Sequence, residues 1–561
     1  MFVPNFGGHI APVCISSSLG KGIFYLLTAH WKAWHIMVGT TLFFKQRVLR
    51  VVPSISKYVR IRALHRVLSA VLGPDGKPIV RDLNRLKTTL GHTKVNGEPK
   101  LNIGHRFSSK NVKIDPSSVS ASEKSRHLSN IIENLIKATG PIPISSYMKE
   151  CLINPNYGYY TTRNPLDTKT GDFITSPEIS STFGEMCALW FFSNFINQLH
   201  YQATYNREAF KIKDKKFRFI EYGPGRGTLM YDMLRILNRF IAANNPIEVV
   251  FVEKSEILIN EQYNAICDPA KAKLETIDKF TYRSHSKWGN RVIWLKDDKP
   301  EFGSDKNYMN FVIAHEFFDA LPINRFVKTD KGWRECLVDL KKRYRKDAIL
   351  PSVEHATSSS IDKSSEDTPE FVIVESTHET PSSAIPRANP RFDNLIVGSK
   401  VEICPDAHSY MYEMADIVKR GDIGAGLVID YGKATIPIET LRGIRNQKFV
   451  DPMSHPGEVD LSADVDFSDL SHLLSHEKGM LPKFADQGDW LNNMGLGYRI
   501  DQLVDAHKND DNLKAKIVDS YKRLTSKGFR EMGKVYKVLG FYDSKYSKLP
   551  CPGFETPKAQ K

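Results

Sequence analysis

The sequence predicts an α/β fold organised around a nucleotide-binding sheet, and three stretches carry that prediction. Phe217 to Glu221 (FRFIE) is a short apolar strand that passes at once into Tyr222-Gly223-Pro224-Gly225-Arg226-Gly227. Thr228 to Phe240 follows, with Leu229, Met233, Leu234, Ile236, Leu237 and Phe240 on one helical stripe. Ile247 to Val252 (IEVVFV) is a second buried strand ending on Glu253, and Asn310 to Ala314 (NFVIA) is a third.

The glycines of the first unit are needed because such a turn takes positive φ and a ligand meets its backbone more closely than a Cβ allows. The helix that follows offers free N–H groups and partial positive charge. Glu253 stands where a carboxylate accepts hydrogen bonds from both hydroxyls of a ribose. A GxG pattern alone is also compatible with a purely structural turn, so the ligand is argued from its surroundings. A dinucleotide turn reads GxGxxG, whereas Gly223, Gly225 and Gly227 read GxGxG. Glu221 beside the turn repels a pyrophosphate and attracts an ammonium. S-adenosyl-L-methionine, which presents such an ammonium, is the expected cosubstrate.

The third strand runs directly into His315-Glu316-Phe317-Phe318-Asp319-Ala320-Leu321-Pro322. Carboxyl ends of strands in an open α/β sheet carry the ligand site, so His315, Glu316 and Asp319 are the candidate catalytic residues. Asp319 stands where HExxH requires its second histidine, which excludes a zinc protease, and no metal site is expected. A guanidinium stays protonated and must be held by carboxylates, for which Glu316 and Asp319 form a candidate clamp. Phe317 or Phe318 is the candidate aromatic wall. The competing reading is a helix start at His315, with Glu316 as its N-terminal charge and both phenylalanines in the core. Methyl transfer is mostly alignment, so no covalent residue is expected.

The 561 residues, 41% hydrophobic and 25% charged, describe a globular chain of more than one unit. The net charge of +14 is unevenly placed, which argues against nucleic acid as a partner. Residues 1–73 contain no Asp or Glu, and arginines and lysines recur there among apolar residues, as in a mitochondrial transit leader. Lys32, His30 and His35 break its apolar runs below the roughly 20 residues of a bilayer span, so no integral membrane span is expected. Residues 74–120 read as a linker, and the folded methyltransferase region is expected over 121–540 with a tail at 541–561. His127 to Ala138 opens it as an amphipathic helix. Residues 347–390, dense in Ser, Thr, Glu and Pro, read as a low-complexity surface insertion broken only by the strand-like Phe371 to Val374. The seven cysteines include no CxxC pair, which fits a reducing compartment and packing roles.

Ser146 to Tyr160 (SYMKECLINPNYGYY), Gly171 to Glu185 (GDFITSPEISSTFGE), Glu221 to Arg235 (EYGPGRGTLMYDMLR), Ala314 to Phe326 (AHEFFDALPINRF), Gly426 to Gly432 (GLVIDYG) and Pro456 to Phe467 (PGEVDLSADVDF) together resemble the MidA-like mitochondrial protein arginine methyltransferases that assist complex I assembly. The resemblance spans about Ala121 to Leu539. It implies a class I, Rossmann-like methyltransferase sheet with an added, mainly helical region. It implies matrix location and symmetric dimethylation of an arginine in a complex I core iron–sulfur subunit. It carries S-adenosyl-L-methionine contacts onto Gly223, Gly225, Gly227 and Glu253. The alternatives are a non-catalytic assembly chaperone, or a methyltransferase acting on a small molecule, glutamine or RNA.

Read from its residues, ITSPE offers Thr175 or Ser176 as a cap for the helix through Phe183, or a lid over the cosubstrate. Asp460, Asp464 and Asp466 either attract a basic peptide or cap the helix from Ser468 to Leu474.

Overall fold

In this computed structural model the described residues are 121–162, 174–205, 215–241, 245–296, 307–343 and 371–554. The leader, the linker, Gly171 to Phe173 and most of the 347–390 insertion lie outside them. Helix α1 (Ala121–Thr139) buries Leu128, Ile132 and Ile136, while Ile131 and Leu135 remain open to solvent. Strand β1 (Ile142–Pro143) leads into α2 (Ile144–Ile153), and α3 (Ser181–Tyr205) precedes the first motif.

The expected strands of the nucleotide unit form as β2 (Lys216–Tyr222) and β3 (Ile247–Val252), joined by α4 (Thr228–Phe240). Helix α5 (Glu256–Ile266) follows, then β4 (Glu275–Thr276), β5 (Thr281–His285), β6 (Arg291–Leu295) and β7 (Tyr308–His315). A second set comprises β8 (Asn324–Thr329), β9 (Gly332–Leu340), β10 (Phe371–Glu375) and β11 (Lys400–Ile403). Beyond α6 (Pro405–Arg420) come β12 (Gly424–Lys433), the hairpin β13 (Arg442–Arg445) and β14 (Lys448–Val450), then β15 (Asp460–Ser462) and β16 (Val465–Asp466). Helix α7 (Phe467–His472), β17 (Met480–Asp486), α8 (Gln487–Asn493) and β18 (Tyr536–Asp543) complete the set.

The large sheet runs β17-β18-β12-β7-β2-β3-β6-β5-β4, with β16 paired to β12. Its centre, β12, β7, β2, β3 and β6, is parallel, and both flanks are antiparallel. The chain alternates along β2. Phe217 and Phe219 meet Phe191 and Phe195 of α3 and Phe311 of β7, whereas Ile220 and Tyr222 join a core with Met411, Met414 and Val418 of α6. Each such buried apolar side chain contributes about 1.5–3 kcal/mol. Covering both faces explains the apolar runs Val249 to Val252 of β3 and Phe311 to Ala314 of β7. Strand order reverses at β2, which puts the ligand crevice at the carboxyl ends of β2 and β7.

The added region carries helices and also an antiparallel sheet that the helical expectation leaves out. Its path is β1-β9-β8-β11, with β10 on β9, and it shares a core with α1 and α2 through Leu128, Tyr147, Val338 and Phe371. Phe371–Glu375 is thus an integral strand rather than surface elaboration. The expected tail is also corrected. Residues 541–543 belong to β18, Cys551 is buried, Trp190 Nε1 donates to the Pro552 carbonyl at 3.1 Å, and Phe554 packs on the Trp190 ring. A second compact unit holds Gly495–Lys522, whose helix Leu496–Ala506 is preceded by Gly495 in the left-handed region. Among the described residues no helix is long and apolar enough to cross a membrane.

Candidate active site

Three turns leave the carboxyl ends of neighbouring strands and meet in one cleft of about 2110 Å³. That volume exceeds the ~300–1,000 Å³ of a single small-molecule pocket and leaves room for two reactants. The glycine turn after β2 has Gly223, Gly225 and Gly227 at φ of 60°, 54° and 81°. A Cβ on Gly223 would lie 2.9 Å from Phe317, so that glycine is required by contact as well as by conformation. Gln262 of α5 fastens the turn: its Nε2 donates to the Gly225 carbonyl at 2.7 Å and to Glu253 Oε2 at 3.1 Å, while Trp294 Nε1 holds its Oε1.

Glu253 also accepts from the Ser255 amide at 2.8 Å, and burial lifts its carboxyl to about 7. Glu221 is 2% exposed, burial holds its carboxyl well above the usual range, and its Oε2 has no hydrogen-bond partner among the described residues. An unpaired carboxylate oxygen lining a cleft awaits a donor from a ligand. Glu178 accepts from Thr228 Oγ1 at 2.6 Å and pairs with Arg226 at 3.8 Å, so the TSPE segment docks against the start of α4. Thr175 is at the N-cap position of the short helix Ser176–Ile179 but makes no side-chain cap bond, and Ser176 donates instead to Gln487. Ser180, rather than Thr175 or Ser176, meets the start of α3 by accepting from the Thr182 amide.

The helix start of the competing reading does not form at His315. Glu316 takes φ +51° and the chain turns, because Asp430 of β12 accepts from the amides of Phe317, Phe318 and Asp319 at 3.1, 2.9 and 3.3 Å. Burial, with Asp319 and Glu316 nearby, holds Asp430 well above the ordinary carboxyl range. Phe317 lines the cleft and packs edge-on against Tyr410, whereas Phe318 is a core residue. His315 is edged by Phe183, burial drives its imidazole down to about 3, and its Nε2 has no hydrogen-bond partner among the described residues. It is neutral at physiological pH and a poor base.

Glu316 Oε1 accepts from the Tyr536 hydroxyl at 2.6 Å, and Tyr536 lies 2.6 Å from the Tyr431 hydroxyl. Burial raises Glu316 to about 8, against the Tyr536 bond and with added repulsion from Asp319 and Asp460. Asp319 is lifted to about 6 by burial, moderated by Arg442. Arg442 bonds Asp464 at 2.6 Å and lies over the Tyr431 ring. Asp460 shares a hydrogen bond with Tyr160. The acids of PGEVDLSADVDF thus divide: Asp460 and Asp464 line the cleft, while Asp466 caps α7 through the Ser468 and Asp469 amides and pairs with Arg391. Gln262, Arg442 and Tyr536 carry no site assignment from sequence, whereas Asp430 and Tyr431 follow the apolar strand Leu427 to Ile429, whose carboxyl end points them into the expected site.

A strand-order reversal with a glycine turn, a ribose-type acid on the next strand and a second set of polar groups beside it defines an S-adenosyl-L-methionine-dependent methyltransferase. Residues 188–483 match the family described as "Putative S-adenosyl-L-methionine-dependent methyltransferase". The chain is 35% identical over 394 residues to the human mitochondrial protein arginine methyltransferase NDUFAF7, covering 69% of this chain and 78% of that one. It is 31% identical over 432 residues to the NDUFAF7 homolog of Drosophila melanogaster, covering 75% and 86%. A COG1565 superfamily member from Burkholderia thailandensis, crystallised with S-adenosyl-homocysteine, superposes with a TM-score of 0.53 at 20% identity over 78% of this chain and 94% of that one. The chain belongs to the NDUFAF7 family of S-adenosyl-L-methionine-dependent methyltransferases. S-adenosyl-L-methionine is its cosubstrate.

Proposed function

We propose that this chain methylates the guanidinium of an arginine in a protein, and that it does so in mitochondria. The observation that supports this reading most is the row of carboxylates, Glu316, Asp319, Asp460 and Asp464, lining the same cleft as the glycine turn. The names of the relatives and the acid-free basic leader support the acceptor and the compartment.

In this reading Gly223, Gly225 and Gly227 present backbone to the cosubstrate, Glu253 accepts its ribose hydroxyls, and the unpaired Glu221 Oε2 receives its ammonium. The bound cosubstrate supplies an electrophilic methyl on a sulfonium. Glu316 and Asp319 grip the planar cation and aim one nitrogen at that methyl, with Phe317 as the apolar wall. As the new N–C bond forms, one N–H proton must leave. The guanidinium cation, once docked, favours the ionised form of Glu316, so that as the methyl's bond to sulfur breaks Glu316 Oε1, held in position by Tyr536, receives the departing proton. His315, neutral and walled by Phe183, shapes the pocket and offers Nε2 as a hydrogen-bond partner. The finer reading, drawn from the family resemblance, is type II chemistry: symmetric dimethylation of an arginine in a complex I core iron–sulfur subunit of the matrix.

The test is titration of the chain with S-adenosyl-L-methionine and with NAD, followed by mass spectrometry of complex I subunits after incubation. Selective binding and a methylated arginine uphold the proposal. Selective binding with no marked arginine overturns it in favour of an assembly chaperone or a small-molecule or RNA acceptor.

A further inference from the structure

The cleft joins a floor bearing several carboxylates to two basic tips at its mouth. The floor carries the carboxylates named above. The mouth carries two exposed tips. One is the β13–β14 hairpin, where Arg445 pairs in register with Lys448 across Asn446 and Gln447, at φ 51° and 60°. Such a two-residue turn with both φ positive is rigid and twists with the strands. It holds Lys448 and Phe449 outward, Phe449 being 71% exposed, and Arg445 is tied back to Glu458. The second tip is Phe529-Arg530, with Phe529 88% exposed and the Arg530 guanidinium 5.1 Å from its ring, followed by Lys534. Lys448, Phe449, Phe529, Arg530 and Lys534 line the cleft, and these three cations make no ion pair among the described residues.

Two large aromatic rings left in water at a cleft mouth mark a contact surface, and phenylalanine is favoured at protein interfaces. Cations of one sign around them select a partner of opposite charge and speed its arrival. A nucleic acid also suits cations and rings, but its phosphates would meet the acidic floor. We propose that the mouth is a docking rim for a polypeptide whose residues flanking the target arginine are acidic and apolar. The enzyme thereby selects an arginine set in acidic, apolar sequence over one in a basic, glycine-rich sequence. This inference rests on the arginine-acceptor reading and extends it to the flanks.

The experiment uses the full chain with two synthetic peptides, each with one central arginine, flanked in one by Glu, Leu and Phe and in the other by Lys, Gly and Ser. Binding is read by fluorescence anisotropy without cosubstrate, and methylation by mass spectrometry with it. The acidic-flank peptide is expected to bind about tenfold tighter at low salt, from three exposed pairs of ordinary strength. That advantage shrinks in about 0.5 M salt. The double variant K448E/R530E, exposed at both sites and checked for unchanged S-adenosyl-L-methionine binding, is expected to reverse the preference. Equal binding of the two peptides, a preference untouched by the double variant, or displacement of the acidic peptide by a short RNA overturns the rim. Charge-selective binding with no methylated arginine upholds the rim and overturns the acceptor reading. Methylation with no flank preference does the opposite.

Discussion

Glu316→Gln separates the chemistry of the floor from its cost to the fold. The Glu316 carboxyl is raised from 4.5 to about 8, so the folded state binds its proton more tightly than the unfolded chain does. Stability from this group is complete below pH 4.5 and is lost as pH rises through about 8. At about 1.36 kcal/mol per pH unit, the loss between pH 6 and pH 9 is about 3 kcal/mol. This is a ceiling, because 15% of the side chain is open to water. Glutamine cannot ionise, so the variant should lose less stability than the wild type across that interval and exceed it at pH 9. Urea unfolding of the ligand-free chain at the two pH values measures this. The buried Trp190, Trp294 and Trp490 report it by fluorescence. The same substitution removes a charge-assisted grip on the acceptor, worth roughly 1.5–3 kcal/mol, or about 10- to 150-fold in kcat/KM. S-adenosyl-L-methionine affinity should not change. Normal turnover removes Glu316 from the mechanism, and an unaltered pH dependence of stability refutes the electrostatic argument.

Gly225→Val places a β-branched side chain at φ 54° in the ligand turn, and S-adenosyl-L-methionine affinity measured by calorimetry should fall by more than about 100-fold. Glu253, lifted to about 7 by burial, accepts two hydroxyls only when ionised, so cosubstrate affinity should decline as pH falls below about 7; Glu253→Gln should flatten that profile in titrations from pH 5.5 to 8.5. Asp430→Ala strands three amides, two of them in buried bonds at about 1–3 kcal/mol each, which should lower the thermal midpoint by several degrees and reduce methyl transfer more than cosubstrate binding.

What sequence discloses here follows from how local each signal is. Strands β3 and β7 are legible because burial on both faces writes the apolar runs Val249 to Val252 and Phe311 to Ala314, β2 because Phe217, Phe219 and Ile220 cluster just before the glycine turn, and α4 because its stripe repeats at helical spacing. The turn at His315 to Asp319 is not legible: its shape is set by Asp430, and no propensity within HEFFD anticipates Glu316 at φ +51°. Residues 376–390 read as elaboration for a different reason. Their Thr, Ser and Asn side chains satisfy the backbone, with Thr380 and Ser383 in a reciprocal cap and Asn389 accepting from the Arg391 amide, so a polar composition serves a folded segment. The Tyr431 and Tyr536 pair and the Arg442 bond to Asp464 are tertiary contacts whose partners are individually unremarkable in sequence.

The bond from Tyr536 to Glu316 joins residues 220 apart, and the Asp430 anchor reaches back more than 110. Closing such long loops is entropically costly and slow, while α1 and α4 need only their neighbours. On refolding from urea, helical signal should therefore return well before methyl transfer does. A chain paused part-way would hold its parallel strands without the antiparallel β18 that covers β12, leaving an open sheet edge prone to self-association. Methyltransferase competence in this fold is in that sense a late kinetic product, gained in one cooperative step.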